Sequence, residues 1–315
     1  MLKVSVVIAT YNGEKYLRQQ LDTILEQTYP VYEILIKDDC STDKTVSIAL
    51  EYQKINSNIN IVVNPENVGV WTNFLEGFFM AKGDYIAYCD QDDLWLPDRI
   101  EKMIPYLQRR NLVYCNSSVC NSNGDIVDSL RGKRQLVSEI ISMFDLQVWG
   151  HQMIFKKDIL YKEDVMKLSR YIYLDALLPI IAFQGNNDNV HFIDENLTIW
   201  RRHDSVYTGI YSIKSPFFKR GIWGLISSLK SSICKRKVEN IKSYFEILKE
   251  LNNLSENSRE VVSLMSKCSL FDLIKTSFIC YKDYVKFDDD LSLKERIRLL
   301  FKPFIAIDCQ MKFVK

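Results

Sequence analysis

Short apolar runs alternate with stretches of helical spacing through the N-terminal part of the chain. The runs are rich in Val, Ile and Tyr and lie at residues 3–9, 32–37, 59–63 and 84–89. Between them apolar residues recur at intervals of three and four, as in Leu17, Leu21 and Ile24, which is typical of an amphipathic helix. Strand and helix alternating in this way favour an α/β fold, with a mostly parallel sheet flanked by helices.

A polar cluster follows each of the four runs. The clusters read ATYNG after the first run, KDDCSTD after the second, NPENVG after the third and CDQDD after the fourth. In parallel α/β sheets, ligands bind at the carboxyl ends of the strands. We therefore expect the four clusters to meet at one edge of the sheet and to form a binding site.

The acidic run after the fourth strand crowds like charges. Asp90, Asp92 and Asp93 come directly after the apolar segment YIAYC. Mutual repulsion and desolvation disfavour this arrangement unless a positive charge is nearby. A hard divalent cation that is bound together with a diphosphate is one explanation. A solvated acidic turn before a helix that begins at Pro97 is the alternative.

A second acidic pair, Asp38 and Asp39, lies at the predicted end of a neighbouring strand. Charge-assisted hydrogen bonds to a nucleobase or ribose are one interpretation. A phospho-acceptor pocket of the receiver type and ordinary Asx-turn chemistry stay open. The cluster ATYNG contains neither G-x-G-x-x-G nor G-x-x-x-x-G-K-[ST], which argues against dinucleotide cofactors and P-loop chemistry. Thr10, Tyr11 and Asn12 can instead stack on a base or hydrogen-bond to it.

Two further groups are candidates for chemistry. Asp175 lies among apolar neighbours in YIYLDALLPII, on a predicted helix. Burial would suit it to general-base work, whereas an aspartate that faces water explains the position equally well. Arg201 and His203 lie together in IWRRHDS, where they can neutralise a diphosphate or complete a metal shell. A lone histidine is more often structural.

The C-terminal part of the chain is basic. From Val206 onward it has 20 Lys and Arg against 12 Asp and Glu, although the whole chain carries a net charge of only +1. From about Ser215 the pattern predicts successive amphipathic helices. We therefore divide the chain into a domain at 1–211 and a basic helical region at 212–315. That region suits an anionic membrane surface, while packing on the sheet or on a second subunit of a homodimer is the alternative.

The eight cysteines include no C-x-x-C pair, which indicates reduced thiols in a cytoplasmic protein. No run approaches the roughly 20 apolar residues that a membrane-spanning helix needs. We expect no nucleic-acid partner.

Taken in order, these motifs resemble family 2 of the inverting glycosyltransferases, which have the GT-A fold and use nucleotide sugars to build bacterial surface polysaccharides. The segments that carry the resemblance are VSVVIATYNGEKYLRQQLDTILEQT, IKDDCSTDKT, NVGVWTNF and YCDQDDLW. The likeness runs from about Val4 to Tyr207, and YCDQDDLWLPDRI is most similar to the rhamnosyltransferase branch. It implies a Rossmann-like GT-A sheet followed by a C-terminal helical region.

The resemblance also implies roles for individual residues. The nucleotide sugar would be bound by Thr10, Tyr11, Asn12, Asp39, Asn67, Asp90 and Arg201. The metal, Mg²⁺ or Mn²⁺, would be bound by Asp92 as principal ligand together with His203. The acceptor side would be lined by Trp95, Gly150 and His151, the last two in the predicted strand VWGHQMIF. Asp175 matches the position of the catalytic base.

The sequence departs from the family pattern at three places. Cys40 stands where glycine is usual, and Trp200 replaces a tyrosine of the Tyr-Arg-x-His pattern. The segment around Asp175 lacks the His and aromatic neighbours that commonly flank the base.

The function implied by the resemblance is inverting transfer of a sugar to a hydroxyl of a lipid-linked saccharide. The similarity of CDQDDLW to the rhamnosyltransferases makes dTDP-L-rhamnose the expected donor. UDP-galactose, UDP-N-acetylglucosamine or a similar donor is one alternative, and a non-catalytic protein that binds nucleotide sugars is another. The expected location is the cytoplasm, at the inner face of the cell membrane.

Overall fold

A computed structural model describes residues 1–130, 138–144, 148–202 and 232–285, with the single positions 300 and 303. The chain forms two compact units, each assembled from three segments. The first consists of Met1–Gln135, Val148–Met166 and Asp188–Tyr207; the second consists of Leu136–Gln147, Lys167–Asn187 and Thr208–Lys315. The predicted domain boundary at residue 211 lies outside the described residues.

Within the described residues, nine strands form one sheet in the first unit. They are β1 Val4–Thr10, β2 Glu33–Asp38, β3 Ile59–Val63, β4 Tyr85–Asp90, β5 Leu94–Trp95, β6 Leu112–Cys120, β7 Ile126–Leu130, β8 Met153–Lys156 and β9 Val190–Arg201.

The sheet has a parallel half and a mixed half. Its order is β3-β2-β1-β4-β8-β6-β9-β5, and β7 pairs with β6 off this path. The strands β3, β2, β1 and β4 are parallel, whereas β8 is antiparallel to both β4 and β6. The predicted class, an α/β protein with a mostly parallel sheet flanked by helices, is confirmed. The insertion of β8 beside β4 was not predicted.

Eleven helices lie in the part of the chain that the structure describes. They are α1 Leu17–Leu25, α2 Thr45–Ile55, α3 Val70–Met80, α4 Arg99–Leu107, α5 Glu139–Ser142, α6 Ile159–Lys162, α7 Val165–Leu168, α8 Leu174–Phe183, α9 Ser232–Leu248, α10 Glu256–Lys267 and α11 Leu270–Val285. None of the described helices has the length and apolarity needed to cross a membrane.

Two predicted elements differ in detail. Helix α4 begins at Arg99 instead of Pro97. The segment VWGHQMIF is not one strand, because Gly150–Gln152 form a 3₁₀ turn that leads into β8. Gly150 lies so close to Tyr88 that a Cβ at position 150 would come within 2.5 Å of the tyrosine ring. This contact holds the turn against β4.

The core of the first unit is built around β1. All seven of its residues are buried, as expected for a parallel strand that is covered on both faces. Ile8 packs with Leu21 of α1 in the main hydrophobic cluster. Helix α3 approaches closely, since a Cβ at Gly77 would lie 2.7 Å from Val7 Cγ1. Tight packing on both sides fixes the carboxyl ends of the parallel strands at one edge of the sheet.

The second unit joins helices from distant parts of the chain. The ring centroids of Phe144, just after α5, and Phe245 of α9 are 5.3 Å apart. Tyr244 Oη donates a hydrogen bond of 3.2 Å to the carbonyl oxygen of Met143. The carboxylate of Glu139 accepts hydrogen bonds from the backbone N–H groups of Gly185 and Ser255 at 3.1 and 3.0 Å. These contacts hold α5, α8 and α9 in one unit.

Candidate active site

The loops that follow β1 and β2 are bonded to each other. Asn12 Oδ1 accepts a hydrogen bond of 2.9 Å from the Thr42 backbone N–H, and the Asn12 N–H donates to Ser41 Oγ at 2.9 Å. Asn12 has a φ of +49°, a left-handed conformation that Asn tolerates better than most residues. Thr10 Oγ1 donates to Asp38 Oδ1 at 2.7 Å. Thr10 and Asn12 therefore shape the loops, whereas Tyr11 is 48% exposed and faces solvent.

Asp39 anchors the segment that follows β3. Its carboxylate accepts hydrogen bonds from Asn64 Nδ2 at 2.9 Å and from the backbone N–H groups of Val68 and Gly69 at 2.8 and 2.9 Å. Asn67 Nδ2 donates to the Asp39 carbonyl oxygen at 3.3 Å. The structure thus brings the predicted residues Asp39 and Asn67 together. Three of the acceptor positions on the Asp39 carboxylate are already used within the protein.

The loop after β2 turns at Cys40, the position where the family usually has glycine. Cys40 has a φ of +64°, in the left-handed region that glycine enters at little cost and other residues do not. The backbone therefore keeps the glycine-like conformation although the side chain has changed.

The acidic run after β4 comes together with a histidine. Asp90, Asp93 and His151 each offer one ligand atom, and these atoms all lie within 4.8 Å of one another. His151 Nδ1 is 3.8 Å from Asp90 Oδ2 and 3.6 Å from Asp93 Oδ2. The distances suit ligands that surround an ion better than they suit direct hydrogen bonds.

The residues present fit a hard divalent cation. The buried Asp93 Oδ2 has no hydrogen-bond partner among the described residues, and such an atom is costly unless something compensates it. The two carboxylate oxygens suit Mn²⁺ or Mg²⁺, whereas the imidazole nitrogen suits a transition metal such as Mn²⁺ better than Mg²⁺, which prefers oxygen ligands. The prediction of a metal site at this strand end thus has a geometric basis.

His151 is held as a neutral imidazole. Burial, reinforced by the nearby Arg99 guanidinium, lowers the pKa of His151 to about 3. Its Nε2 lies 3.0 Å from Ser117 Oγ, which also accepts a hydrogen bond from Gln152 Nε2 at 3.2 Å. With the proton on Nε2, the lone pair of Nδ1 faces the two carboxylates. This is the form in which histidine ligates a metal.

Asp93 differs from its neighbours in the acidic run. Burial and repulsion from Asp92 and Asp90 raise the pKa of Asp93 well above its usual range, against the opposing effects of the Arg201 N–H and the Arg99 charge. Asp93 Oδ1 accepts the Arg201 backbone N–H at 3.1 Å. Asp92 is only partly buried.

Arg201 positions the acidic loop. Its Nε donates to the Asp92 carbonyl oxygen at 3.1 Å, and Nη2 donates to Gln19 Oε1 at 2.7 Å. Its guanidinium also lies 4.8 Å from the centroid of the Tyr16 ring. Gln91 ties the same loop to the β1 loop, because its Oε1 accepts the Tyr11 N–H at 3.0 Å.

Sequence reasoning missed Arg99. Its side chain is fully buried, donates from Nη2 to the His151 carbonyl oxygen at 2.9 Å and lies 3.8 Å from the centroid of the Trp95 ring. The available signal was helical spacing, since Arg99 shares the buried face of α4 with Met103 and Leu107. Trp95, predicted to line the acceptor side, is 3% exposed and belongs to the core cluster.

The ring of Trp200 lies beside His151. Its ring is stacked at 6.0 Å from Trp149 and at 6.1 Å from His151, with interplanar angles of 17° and 14°. The predicted acceptor-side residues Gly150 and His151 lie in this part of the site, on the 3₁₀ turn before β8.

His203 lies outside the described residues. Asp175 is in the second unit, in the first turn of α8, and is 7% exposed. Its burial excludes the reading of Asp175 as an aspartate that faces water.

Two solved structures illustrate the similarity in fold. TarS 1-349 of S. aureus, in complex with UDP-GlcNAc, matches with a TM-score of 0.52 and 18% identity, over 98% of this chain and 89% of that chain. The mannosyltransferase PcManGT from Pyrobaculum calidifontis, in complex with GDP-Man and Mn²⁺, matches with a TM-score of 0.54 and 16% identity, over 97% and 81% of the two chains. The fold of this chain is therefore the GT-A fold, followed by C-terminal helices.

The sequence comparisons define the family. Residues 5–161 match the model of Glycosyl transferase family 2. TuaG of Bacillus subtilis, described as a putative teichuronic acid biosynthesis glycosyltransferase, is 35% identical over 111 residues, which are 35% of this chain and 44% of TuaG. An uncharacterized glycosyltransferase of Haemophilus influenzae is 29% identical over 185 residues, which are 51% of this chain and 57% of that protein. The chain thus spans about half the length of these relatives. Residues 5–161 therefore belong to Glycosyl transferase family 2.

Proposed function

We propose that this protein is an inverting glycosyltransferase that moves a sugar from a nucleotide sugar to an acceptor hydroxyl. The observation that carries the proposal is the cluster of Asp90, Asp93 and His151 at the carboxyl end of β4, inside a Glycosyl transferase family 2 domain. The interlocked loops after β1 and β2 adjoin it through Gln91. A diphosphate and its counter-ion suit such an edge of a parallel sheet.

The proposed metal ligands are the three clustered side chains, with Asp92 and His203 added from the family resemblance. A bound Mg²⁺ or Mn²⁺ would supply positive charge against the charge that develops on the leaving diphosphate. Arg201 and Arg99 hold the acidic loop and the His151 turn in place. The nucleotide is proposed to stack on Tyr11 and to bond near Asp39 and Asn67.

Asp175 is the proposed catalytic base. It takes the proton of the acceptor hydroxyl while that oxygen forms a bond to the anomeric carbon. The bond from this carbon to the nucleoside diphosphate breaks on the opposite face and its electron pair leaves with the diphosphate, so the configuration inverts. The burial of Asp175 supports this role, because desolvation favours proton uptake by a carboxylate.

The proposed donor is dTDP-L-rhamnose, from the similarity of CDQDDLW to the rhamnosyltransferase branch. UDP-galactose and UDP-N-acetylglucosamine are the alternative donors. UDP-N-acetylglucosamine is included because the fold is similar to that of TarS bound to UDP-GlcNAc. The proposed acceptor is a lipid-linked saccharide of a bacterial surface polysaccharide. The proposed location is the cytoplasmic face of the membrane, where the basic C-terminal region would contact anionic lipid or a second subunit.

The most informative experiment measures free nucleoside diphosphate released from a panel of donors, first with Mn²⁺ and then with a chelator. We expect release from one donor above all, and its loss when the metal is removed. A protein that binds a donor in calorimetry but releases no nucleoside diphosphate, with or without acceptor extracts, would be the non-catalytic alternative.

The base assignment has its own test. Asp175→Asn should lower turnover by about 10²–10⁴-fold, the usual contribution of general-base catalysis, while donor affinity stays close to that of the wild type. The control is Asp84→Asn, which makes the same chemical change at an exposed position. Turnover of Asp175→Asn equal to that of the control would reject the assignment.

A further inference from the structure

Helix α11 exposes apolar side chains and buries polar ones. Its large exposed residues are Leu270, Phe271, Ile274 and Phe278, with 57%, 73%, 44% and 57% of their surface accessible. Its buried polar residues are Asp272, Thr276, Ser277 and Asp283, which lie beside Leu273 and Cys280. A helix that only packs on a protein core shows the opposite distribution, with the polar residues outside. This distribution indicates that the exposed face of α11 is an interaction surface.

The exposed apolar residues form one continuous surface. Leu270, Ile274 and Phe278 are spaced by four and lie in a row along the helix, and Phe271 stands beside that row. We call these four residues the α11 apolar face. Isolated exposed apolar residues are ordinary, but a contiguous patch marks an interaction site.

The charges around this face have one dominant sign. The exposed ionisable residues of α11 are Lys275 and Lys282, and Lys267 is exposed at the end of α10. Both acidic residues of the helix, Asp272 and Asp283, are buried. Lys275 pairs with Glu260 at 2.6 Å. Lys267, whose charge also acts on the Asp272 carboxylate, and Lys282 form the basic rim of the α11 apolar face.

The buried acid at the start of the helix has a structural role. Asp272 Oδ2 accepts hydrogen bonds from the Ser269 N–H at 3.0 Å and from Ser269 Oγ at 2.5 Å, which caps the first turn. Asp272 thus stabilises the first turn of the helix, and the charges of Lys267 and Lys242 act against its negative charge.

We propose that the α11 apolar face, with Lys267 and Lys282 at its rim, docks on an anionic lipid surface. Charge complementarity favours lipid over a second copy of this chain, because two such faces would bring lysine against lysine. The chain from Val206 onward, with 20 Lys and Arg against 12 Asp and Glu, adds attraction to anionic lipid headgroups. This proposal rests on the proposed function, in which the acceptor is a lipid-linked saccharide at the membrane, and it names the surface of the protein that would contact that membrane. Its test needs neither donor nor acceptor, so the docking proposal and the proposed transferase activity can be rejected independently of each other.

The test is co-sedimentation of the full-length protein with vesicles. One set contains phosphatidylglycerol mixed with phosphatidylcholine, and the other contains phosphatidylcholine alone. We expect binding to the anionic set, weakened by salt. Phe271→Ser together with Phe278→Ser should weaken partitioning by about tenfold or more, since each apolar side chain withdrawn from water contributes on this scale. Lys267→Gln and Lys282→Gln should each weaken it roughly fivefold.

The matched control is Ile126→Ser together with Val127→Ser, two residues of β7 that are each 62% exposed. This variant should bind anionic vesicles as the wild type does. Failure of the wild type to bind anionic vesicles would overturn the proposal, and so would undiminished binding by the double Phe variant. A dimer in size-exclusion chromatography that the double Phe variant abolishes, without vesicle binding, would assign the face to a second copy instead. The two lysine variants leave the apolar packing intact and test the proposal independently of folding.

Discussion

At the scale of single residues, Asp93 and Asp92 have different environments although they are adjacent in the sequence. Asp93 is fully buried, accepts the Arg201 N–H and lies 3.6 Å from His151 Nδ1. Asp92 is partly exposed, and its backbone carbonyl is the group that Arg201 holds. Repulsion within the acidic run is therefore concentrated on one buried carboxylate, which an ion would relieve.

This difference predicts the effect of removing each carboxylate. Asp93→Asn replaces one of the three clustered ligands, a charged carboxylate, with a neutral amide, so Mn²⁺ affinity should fall by at least about tenfold, since even outer-shell partners of a metal contribute 10–100-fold. Isothermal titration with Mn²⁺ in the presence of a nucleoside diphosphate measures it. Asp92→Asn tests the ligand that the family resemblance assigns, and its effect is read as the same fall in Mn²⁺ affinity.

Asp98→Asn is the control, because Asp98 is a half-exposed carboxylate directly before α4 that pairs with Lys102 at 2.8 Å. Its Mn²⁺ affinity should match the wild type. Mn²⁺ binding by Asp93→Asn that equals the control would remove Asp93 from the site.

At the scale of elements, the site consists of loops that hold one another. The β1 loop is bonded to the β2 loop through Asn12, and the β2 loop is bonded to the segment after β3 through Asp39. Short parallel strands, of which β1, β2 and β4 are almost entirely buried, present these loops at one edge of the sheet. Their geometry depends on a left-handed turn at Cys40.

The left-handed turn at Cys40 predicts which substitutions at this position stabilise the protein and which destabilise it. Cys40→Gly should leave the free energy of unfolding unchanged or raise it by up to about 1 kcal/mol, because relief of the left-handed strain outweighs the added entropy of the unfolded chain. Cys40→Val should lower it by about 1–3 kcal/mol, because a β-branched residue at positive φ is strained. Urea denaturation measures both.

Ser47→Gly, in the exposed part of α2, is the control for glycine in an ordinary conformation. It should lower the free energy of unfolding by about 0.5 kcal/mol. If Cys40→Gly destabilises the protein as much as Ser47→Gly does, the turn at position 40 is not strained.

At the scale of the whole molecule, the chain order and the compact units do not coincide. Segments 136–147 and 167–187 belong to the second unit although they precede most of it in sequence. Helix α9 contributes Tyr244 and Phe245, which contact Met143 and Phe144. A cut between the predicted domains at residue 211 would therefore divide a packed unit.

The fragment 1–211 should be less stable than the intact protein. It retains α5 and α8 but lacks α9, so the apolar surface around Phe144 loses its partner and becomes exposed, which favours aggregation. Size-exclusion chromatography and thermal melting measure the effect. In the intact chain Phe245→Ala should remove about 3–5 kcal/mol of stability. A monomeric fragment that melts at the temperature of the full chain would contradict this account.

The parallel half of the sheet and its helices could be predicted because periodicity is a local property. Strands β1, β2 and β4 are almost entirely buried and β3 is mostly half-buried, and α1 shows its core spacing in sequence. The polar clusters at the strand ends follow from the same pattern. Asp90, Asp39 and Asn67 were accordingly predicted at the edge where the structure has them.

The remainder of the site depends on contacts between residues that are distant in the chain. His151 reaches the acidic run because β8 pairs antiparallel with β4, with Ala87 opposite Ile154, and no local pattern specifies that pairing. Likewise Trp95 was predicted to line the acceptor side, but its ring is buried, with the guanidinium of Arg99 3.8 Å from the ring centroid. Burial of these groups results from packing on every side, which sequence spacing does not encode.

Local pattern alone was thus enough to predict the α/β class and the strand ends that bear the polar loops, and it made the acidic run a candidate cation site. Tertiary structure decided which carboxylate is buried, which histidine joins it and which helix presents an apolar face to solvent. The physical reason is that hydrophobic periodicity acts over a few neighbouring residues, whereas desolvation and charge pairing depend on all the chain segments that meet at one point.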